Sequence, residues 1–162
     1  MQVDMIEFVK AENIKELASL ASKIWHEYWP IILSPEQIDY MVENFQSETA
    51  IKNQIQNENY TYYLIKHNNE NIGYFGLSDK KDHIFLSKLY IYGTYRHKGI
   101  GTKAFEKIKE ISNGQKITLT VNKNNINSIN AYKKWGFKII DSVVTDIGNN
   151  FVMDDYIMEY CN

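Results

Sequence analysis

The spacing of apolar positions changes several times along the chain, and each change marks an element. Residues 5–9 alternate as a short strand. From about Glu12 onward Ile14, Leu17, Leu20, Ala21, Ile24, Trp25 and Tyr28 share one face of a long amphipathic helix, which Pro30 stops. Ser34-Pro35-Glu36-Gln37 is a helix start, with Ser34 as N-cap, Pro35 at the first helical position and Gln37 three residues beyond the cap. Ile38, Met41, Val42 and Phe45 are its apolar face, and Ser47 caps a further short helix containing Ile51 and Ile55. From Tyr60 the period becomes that of strands. Residues 60–65 and 72–77 flank a turn at Asn68-Asn69-Glu70-Asn71, and Lys80-Lys81-Asp82 turns into a third strand that ends at Tyr92. These segments predict an antiparallel meander. Helical spacing returns at Ala104, Phe105, Ile108 and Ile111, and Asn113-Gly114 ends it. A strand at 116–121, a helix at 126–135 closed by Gly136, a strand at 137–144 and a last strand from the turn at Gly148-Asn149-Asn150 through Ile157 complete the pattern. No repeat, low-complexity tract or linker interrupts it. The expectation is a single α+β domain over residues 1–162, with a mixed, mostly antiparallel central sheet flanked by helices.

Composition narrows the class. A chain of 162 residues with 44% hydrophobic and 14% aromatic content suffices for one packed core and is short for two. A net charge of −2 argues against nucleic-acid binding driven by bulk charge. Basic residues gather locally instead, at Arg96, Lys98 and Lys103 and at Lys123, Lys133 and Lys134. Cys161 is the only cysteine, so no internal disulfide forms. The segment Met1-Gln2-Val3-Asp4-Met5-Ile6-Glu7 lacks the basic-then-apolar pattern of a signal peptide, and no apolar run reaches membrane-spanning length. A soluble cytoplasmic protein without nucleic-acid or membrane partners is expected.

The candidate chemistry lies between the third strand and the helix after it, at Arg96-x-x-Gly99-x-Gly101. Two glycines at a helix start let a ligand approach the backbone and leave unpaired N–H groups facing outward. With the helix dipole and the basic Arg96 and Lys98, they suit a pyrophosphate. A plain surface loop is the other reading of the glycines alone. Gly99-x-Gly101-x-x-Ala104 also satisfies a relaxed dinucleotide fingerprint, but the next strand runs into Asn122-Lys123-Asn124-Asn125 without the acid that would hold a ribose. Gly101-Thr102-Lys103 lacks the spacing of a P-loop.

Arg96-x-x-Gly99-x-Gly101 opening a helix after a strand resembles the acetyl-coenzyme-A motif of GNAT-family N-acetyltransferases. Asn125-x-x-Ser128-x-x-x-Tyr132-x-x-x-Gly136-Phe137 resembles the family's second motif, in the family's order and at about its separation. The resemblance covers roughly the middle third of the chain. It implies acetyl transfer from acetyl-CoA, a cosubstrate needing no metal, to a primary amine of a small molecule or protein. An acyl-CoA-binding or sensing domain without turnover is the alternative. A homodimer is left open.

The resemblance implies roles residue by residue. Gly99, Gly101 and Thr102 with Arg96 and Lys98 would take the pyrophosphate, and backbone groups of Leu89 and Ile91 the pantetheine arm, which imitates an added strand. The Leu89 and Ile91 side chains read as core. Tyr132 matches the position that protonates the departing thiolate, and a phenol is protonated at neutral pH; a buried core tyrosine is the other reading. Asn125 lies near the cofactor in the family and also reads as an N-cap. No general base is legible. Many family members place a glutamate on the central strand, where Ser87 and Lys88 stand here. His83, His26, Glu27 and Asp154 are candidates beside ordered water and backbone carbonyls. Trp25, His26, Tyr28 and Trp29, with Asp154-Asp155 at the strand return, suggest an aromatic pocket with carboxylates, suited to a cationic amine such as a polyamine.

Overall fold

The computed structural model describes residues 5–161; the first four residues, part of the segment compared with a signal peptide, lie outside that range. The elements run β1 (Ile6–Lys10), α1 (Ile14–Tyr28), α2 (Pro35–Phe45), α3 (Glu48–Asn57), β2 (Tyr60–His67), β3 (Glu70–Asp79), β4 (His83–Ile91), a 3-10 turn at Gly93–Tyr95, α4 (Ile100–Ser112), β5 (Lys116–Asn122), α5 (Ile126–Trp135), β6 (Lys138–Gly148) and β7 (Phe151–Tyr160). The seven strands form one sheet in the order β1-β2-β3-β4-β5-β7-β6. Every neighbouring pair is antiparallel except β4 and β5. This is the mixed, mostly antiparallel α+β sheet that the pattern predicts.

Local chemistry explains the ends of the elements. The first three helices are each capped by their own sequence: the side chains of Asn13, Ser34 and Ser47 accept from Glu16 N, Gln37 N and Ala50 N. Gln37 does not return the bond to Ser34; its amide donates to the Val152 carbonyl at 3.1 Å and so ties α2 to β7. Asn68-Asn69 and Asn149-Asn150 all have positive φ, the conformation of tight hairpin turns. β6 and β7 extend to Gly148 and Tyr160, beyond the 137–144 and Ile157 limits read from periodicity. Cross-strand pairing carries them past the point where their apolar alternation fades.

The sheet has a core on each face. On the α4–α5 face Phe75, Phe105, Ile108 and Ile117 are essentially fully buried; on the α1–α3 face Leu17, Ile24, Ile51 and Tyr74 are. The second core holds a polar chain. Trp25 Nε1 donates to the Tyr74 hydroxyl at 2.6 Å, which donates to Gln46 Oε1 at 2.5 Å. Gln46 Nε2 donates to the Tyr62 hydroxyl at 3.3 Å, and that hydroxyl donates to Gln54 Oε1 at 2.6 Å. Gln54 then donates to the Phe45 carbonyl at 2.9 Å. The network fixes the three helices on β2 and β3, because a buried polar group must find its partner or lose its hydration uncompensated.

Two irregularities in β4 prepare the site. β4 and β5 pair over only three positions, His83↔Lys116 to Phe85↔Thr118, and then separate. On its other edge, Leu86 and Lys88 oppose the adjacent residues Leu77 and Gly76, which leaves Ser87 as the extra residue of a β-bulge. The bulge shifts the alternation by one. Ile84 and Leu86 face the α4–α5 core and so do Leu89 and Ile91, while Tyr90 and Tyr92 face the α1–α3 core.

Candidate active site

Where β4 leaves β5, the sheet opens on both faces. On the α4–α5 side lies a cleft of about 520 Å³ that runs from β4 to the start of α4 and along α5. On the α1–α3 side lies a pocket of about 420 Å³ walled by aromatic residues of α1, β2 and β4 and by β5–β7. Tyr28, Leu89, Tyr90, Asn125, Ser128 and Tyr132 line both, so the two spaces meet at the split.

The cleft's far end is main chain. Gly99, at φ +79°, is the N-cap of α4, and no side chain caps this helix. Its first internal bond is Lys103 N to the Gly99 carbonyl at 3.2 Å. The N–H groups of Ile100, Gly101 and Thr102 therefore precede the helical ladder and point outward. A Cβ on Gly99 would meet nothing within 4 Å, so the space in front of the turn is open; the glycine is required by its left-handed φ. Gly101 lies against the Trp135 ring, at 3.4 Å from where a Cβ would stand. An uncapped helix start beside an open cleft fits an anionic ligand.

The other residues singled out in the sequence are distributed less simply. Thr102 lines the cleft, and its hydroxyl accepts from Trp135 Nε1 at 3.2 Å. Arg96 lines it too, but its guanidinium is engaged: Nε donates to the Ile91 carbonyl at 2.9 Å, Nη2 pairs with Glu27 at 3.2 Å, and the group lies 4.8 Å from the Tyr28 ring centre. It clasps α1 to the end of β4. Lys98 stands outside the lining, its ammonium 5.8 Å from the Tyr95 ring centre. Leu89 and Ile91 pack their side chains on the α4–α5 core and present an edge that β5 has left unpaired. Asn125 sits at the N-cap position of α5 but makes no capping bond. Its Oδ1 accepts from the Tyr28 hydroxyl at 2.8 Å, and Ser128 Oγ stands 2.8 Å from the same hydroxyl. The competing partner overrides the cap expected from sequence.

Tyr132 lies at the junction, its ring edge-on to Trp135 and Phe137. Burial, with Tyr28 beside it, raises its phenol above the ordinary value, so it keeps its proton. Among the described residues no group takes its hydroxyl in a hydrogen bond.

None of the four candidate bases lines either space. His26 pairs with Asp39 at 2.7 Å on the outer surface, and that bond raises its pKa. His83 pairs with Asp82 at 2.6 Å at the start of β4, and Glu27 accepts from Gly93 N at 2.6 Å as well as from Arg96. Asp154 turns outward to Lys123 at 2.9 Å. Neighbours on a strand point to opposite faces, so Asp154 and Asp155 do not form one acidic mouth; both lie inside β7, not at its return. Asp155 faces the pocket. It is 8% exposed, its Oδ1 meets no hydrogen-bond donor, and burial, helped by Asp154, lifts its carboxyl to about 6. Lys88 lines the same pocket, and desolvation lowers its ammonium to about 8. Sequence reading set Asp155 at the pocket only as one of a pair with Asp154, and gave Lys88 no part in it. A lone lysine inside an apolar strand and a repeated aspartate were the only signals.

Three comparisons bear on this geometry. The chain aligns over 98% of its length with 99% of the PaiA N-acetyltransferase of Thermoplasma acidophilum, solved in complex with coenzyme A, at a TM-score of 0.80 and 24% identity. A ribosomal-protein-alanine N-acetyltransferase of Escherichia coli aligns over 97% of this chain and 94% of its own, at 0.71 and 17%. An acetyltransferase of Streptococcus agalactiae gives 0.70 and 20%, covering 97% and 98%. At these identities the likeness establishes the fold. The sequence match is independent of it: the model of the Acetyltransferase (GNAT) family matches residues 14–137, most of the chain, from α1 through α5. By that match the chain belongs to the GNAT acetyltransferase family.

Proposed function

We propose that the protein transfers the acetyl group of acetyl-CoA directly to a primary amine. The observation that carries this reading is the junction. A cleft ending in free helix N–H groups meets an aromatic pocket at the split between β4 and β5, beside a protonated tyrosine. That the Thermoplasma relative of the same fold holds coenzyme A supports the choice of donor.

Acetyl-CoA supplies an activated thioester. For this chain we assign the following. The N–H groups from Ile100 to Thr102 take the pyrophosphate, and the free edge of β4 at Leu89–Ile91 takes the pantetheine. Arg96 holds that edge in place. The amine nitrogen bonds to the acetyl carbon as the carbon–sulfur bond breaks, and the sulfur leaves as a thiolate. Tyr132 gives the thiolate its proton. Asp155, which lines the acceptor pocket with one oxygen unmet, receives the ammonium and accepts its first proton, directly or through water; the second proton, lost from nitrogen as the amide forms, restores the Tyr132 phenol through solvent.

The test is release of free CoA from acetyl-CoA across a panel of amines. With the best acceptor, Tyr132→Phe is expected to lower kcat on the order of 10²-fold or more, with CoA affinity held within about 2-fold. CoA binding without turnover of any amine would replace this reading with that of a binding domain.

A further inference from the structure

We infer that the acceptor is a primary amine that also carries an acidic group, docked with its ammonium on Asp155 and its acidic end on Lys88. The inference rests on the acetyl-transfer reading and names the acceptor class of the same pocket.

Lys88 is where it is because of the bulge. Regular alternation would send the residue two after Leu86 into the α4–α5 core; the extra residue at Ser87 turns Lys88 to the acceptor side. There its ammonium donates to Ser87 Oγ at 2.6 Å and stands 5.9 Å from the Tyr60 ring centre. Among the described residues no carboxylate pairs with it. A half-buried cation with no carboxylate in contact is costly, and an anion on the ligand would lower that cost. Its lowered pKa agrees with an unmet charge.

Asp155 is the complementary vacancy, a buried carboxylate with one oxygen unmet. The charges that bear on the two groups are different: Glu58 on Lys88, Asp154 and Lys123 on Asp155. They therefore act as two poles of the pocket and not as one ion pair. Lys88 precedes Tyr90, a wall of the junction, by two residues, or about 7 Å along an extended strand. The acidic end of the ligand thus lies further from the junction than its reacting amine. The pocket's walls include Trp25, Trp29, Tyr90 and Met153, which suit an apolar spacer. A diamine would set its second ammonium against Lys88. The purely cationic acceptor expected from the Asp154-Asp155 pair is disfavoured, because only one of those aspartates faces inward.

Three acceptor series test this in steady-state assays of CoA release: ω-amino carboxylates from 4-aminobutanoate to 8-aminooctanoate, alkylamines of equal length, and α,ω-diamines. Aminoalkyl phosphates form a fourth arm that separates carboxylate from phosphate recognition. At the best length the acid-bearing amine is expected to exceed both the alkylamine and the diamine in kcat/KM by about 10-fold or more. Lys88→Met should bring the acid-to-alkylamine ratio to about 1, Lys88→Arg should keep most of it, and Lys88→Glu should turn the preference toward diamines. If alkylamines or diamines win in the wild type, or if Lys88→Met leaves the ratio intact, the inference falls while acetyl transfer stands. If no amine of any series releases CoA although acetyl-CoA binds, both readings fall together.

Discussion

The cleft and the pocket share six residues at their junction but differ in what makes them. The cleft's far end is backbone: a left-handed glycine, an uncapped helix and a strand edge. The pocket is side chain, brought together from α1, α2, α5, β2, β4, β5, β6 and β7. A backbone site depends on a local conformation that two or three residues dictate, so it leaves a motif in the sequence. A side-chain site depends on which faces eight elements turn toward one another, and no short stretch encodes that. The same contrast runs through the helices. α1, α2 and α3 cap themselves with Asn13, Ser34 and Ser47, while α4 and α5, which border the cleft, have no side-chain cap.

The sharpest way to break this contrast is to add a side chain where the backbone is meant to act. A Cβ at Gly101 meets Trp135 at 3.4 Å and Ile91 Cδ1 at 3.9 Å, which are ordinary contacts. The Cβ itself is accommodated, and the branches of Gly101→Val take up cleft space beside Trp135 and Ile91 at the first turn of α4. CoA affinity is expected to fall on the order of 10²-fold or more, roughly 2.7 kcal/mol, with only a small change in melting temperature. Calorimetric titration with CoA measures it. Unchanged affinity would move the phosphate site away from α4.

A smaller effect is expected on the other side. Gln46 is fully buried and joins Tyr74 to Tyr62, so Gln46→Met removes the acceptor of the Tyr74 hydroxyl. Stability should drop by about 1–3 kcal/mol in urea unfolding, the cost of stranding a buried polar group. CoA affinity should hold, since the network touches neither α4 nor α5. If CoA affinity falls with stability, the two regions are not built independently.

How far the sequence could be read follows the same division. Helix faces, asparagine turns and the sheet's mixed character were legible because each rests on periodicity or on local φ. The start of α4 was legible because Gly99 carries its own backbone signature. Tyr132 was readable only through its spacing from Asn125 and Gly136. The Ser87 bulge was not, because it arises from the register of β3 against β4, and the aromatic residues on both faces of β4 mask the change of phase it causes. The engagement of Arg96 by Glu27, 69 positions away, was equally invisible. Sequence proximity misled at Asp154-Asp155, where adjacent letters become opposite faces.

That pair gives the finest test of the comparison, because its members differ only in the side they face. Asp154 is exposed and paired with Lys123, and exposed pairs contribute little. Asp154→Asn should change kcat/KM by less than about 2-fold and stability by less than about 0.5 kcal/mol. Asp155 differs, because its carboxyl is raised from 3.8 to about 6 by burial first and by Asp154 second. A raised carboxyl binds its proton more tightly folded than unfolded. Wild-type stability therefore falls as pH rises from about 4 to about 6, and the deficit persists above that range. Asp155→Asn removes the charge and the deficit. The variant should match wild type near pH 4 and exceed it above pH 7 by on the order of 1 kcal/mol, the pocket's water screening part of the full effect. Its kcat/KM for the best amine should fall by about 10-fold or more, since the ammonium loses its counter-charge and the proton its acceptor. Thermal melts at pH 4, 6 and 8 with matched kinetics separate the two aspartates. Equal pH profiles for both variants, or a variant at Asp155 that keeps full activity, would return the pocket's proton transfer to water and backbone.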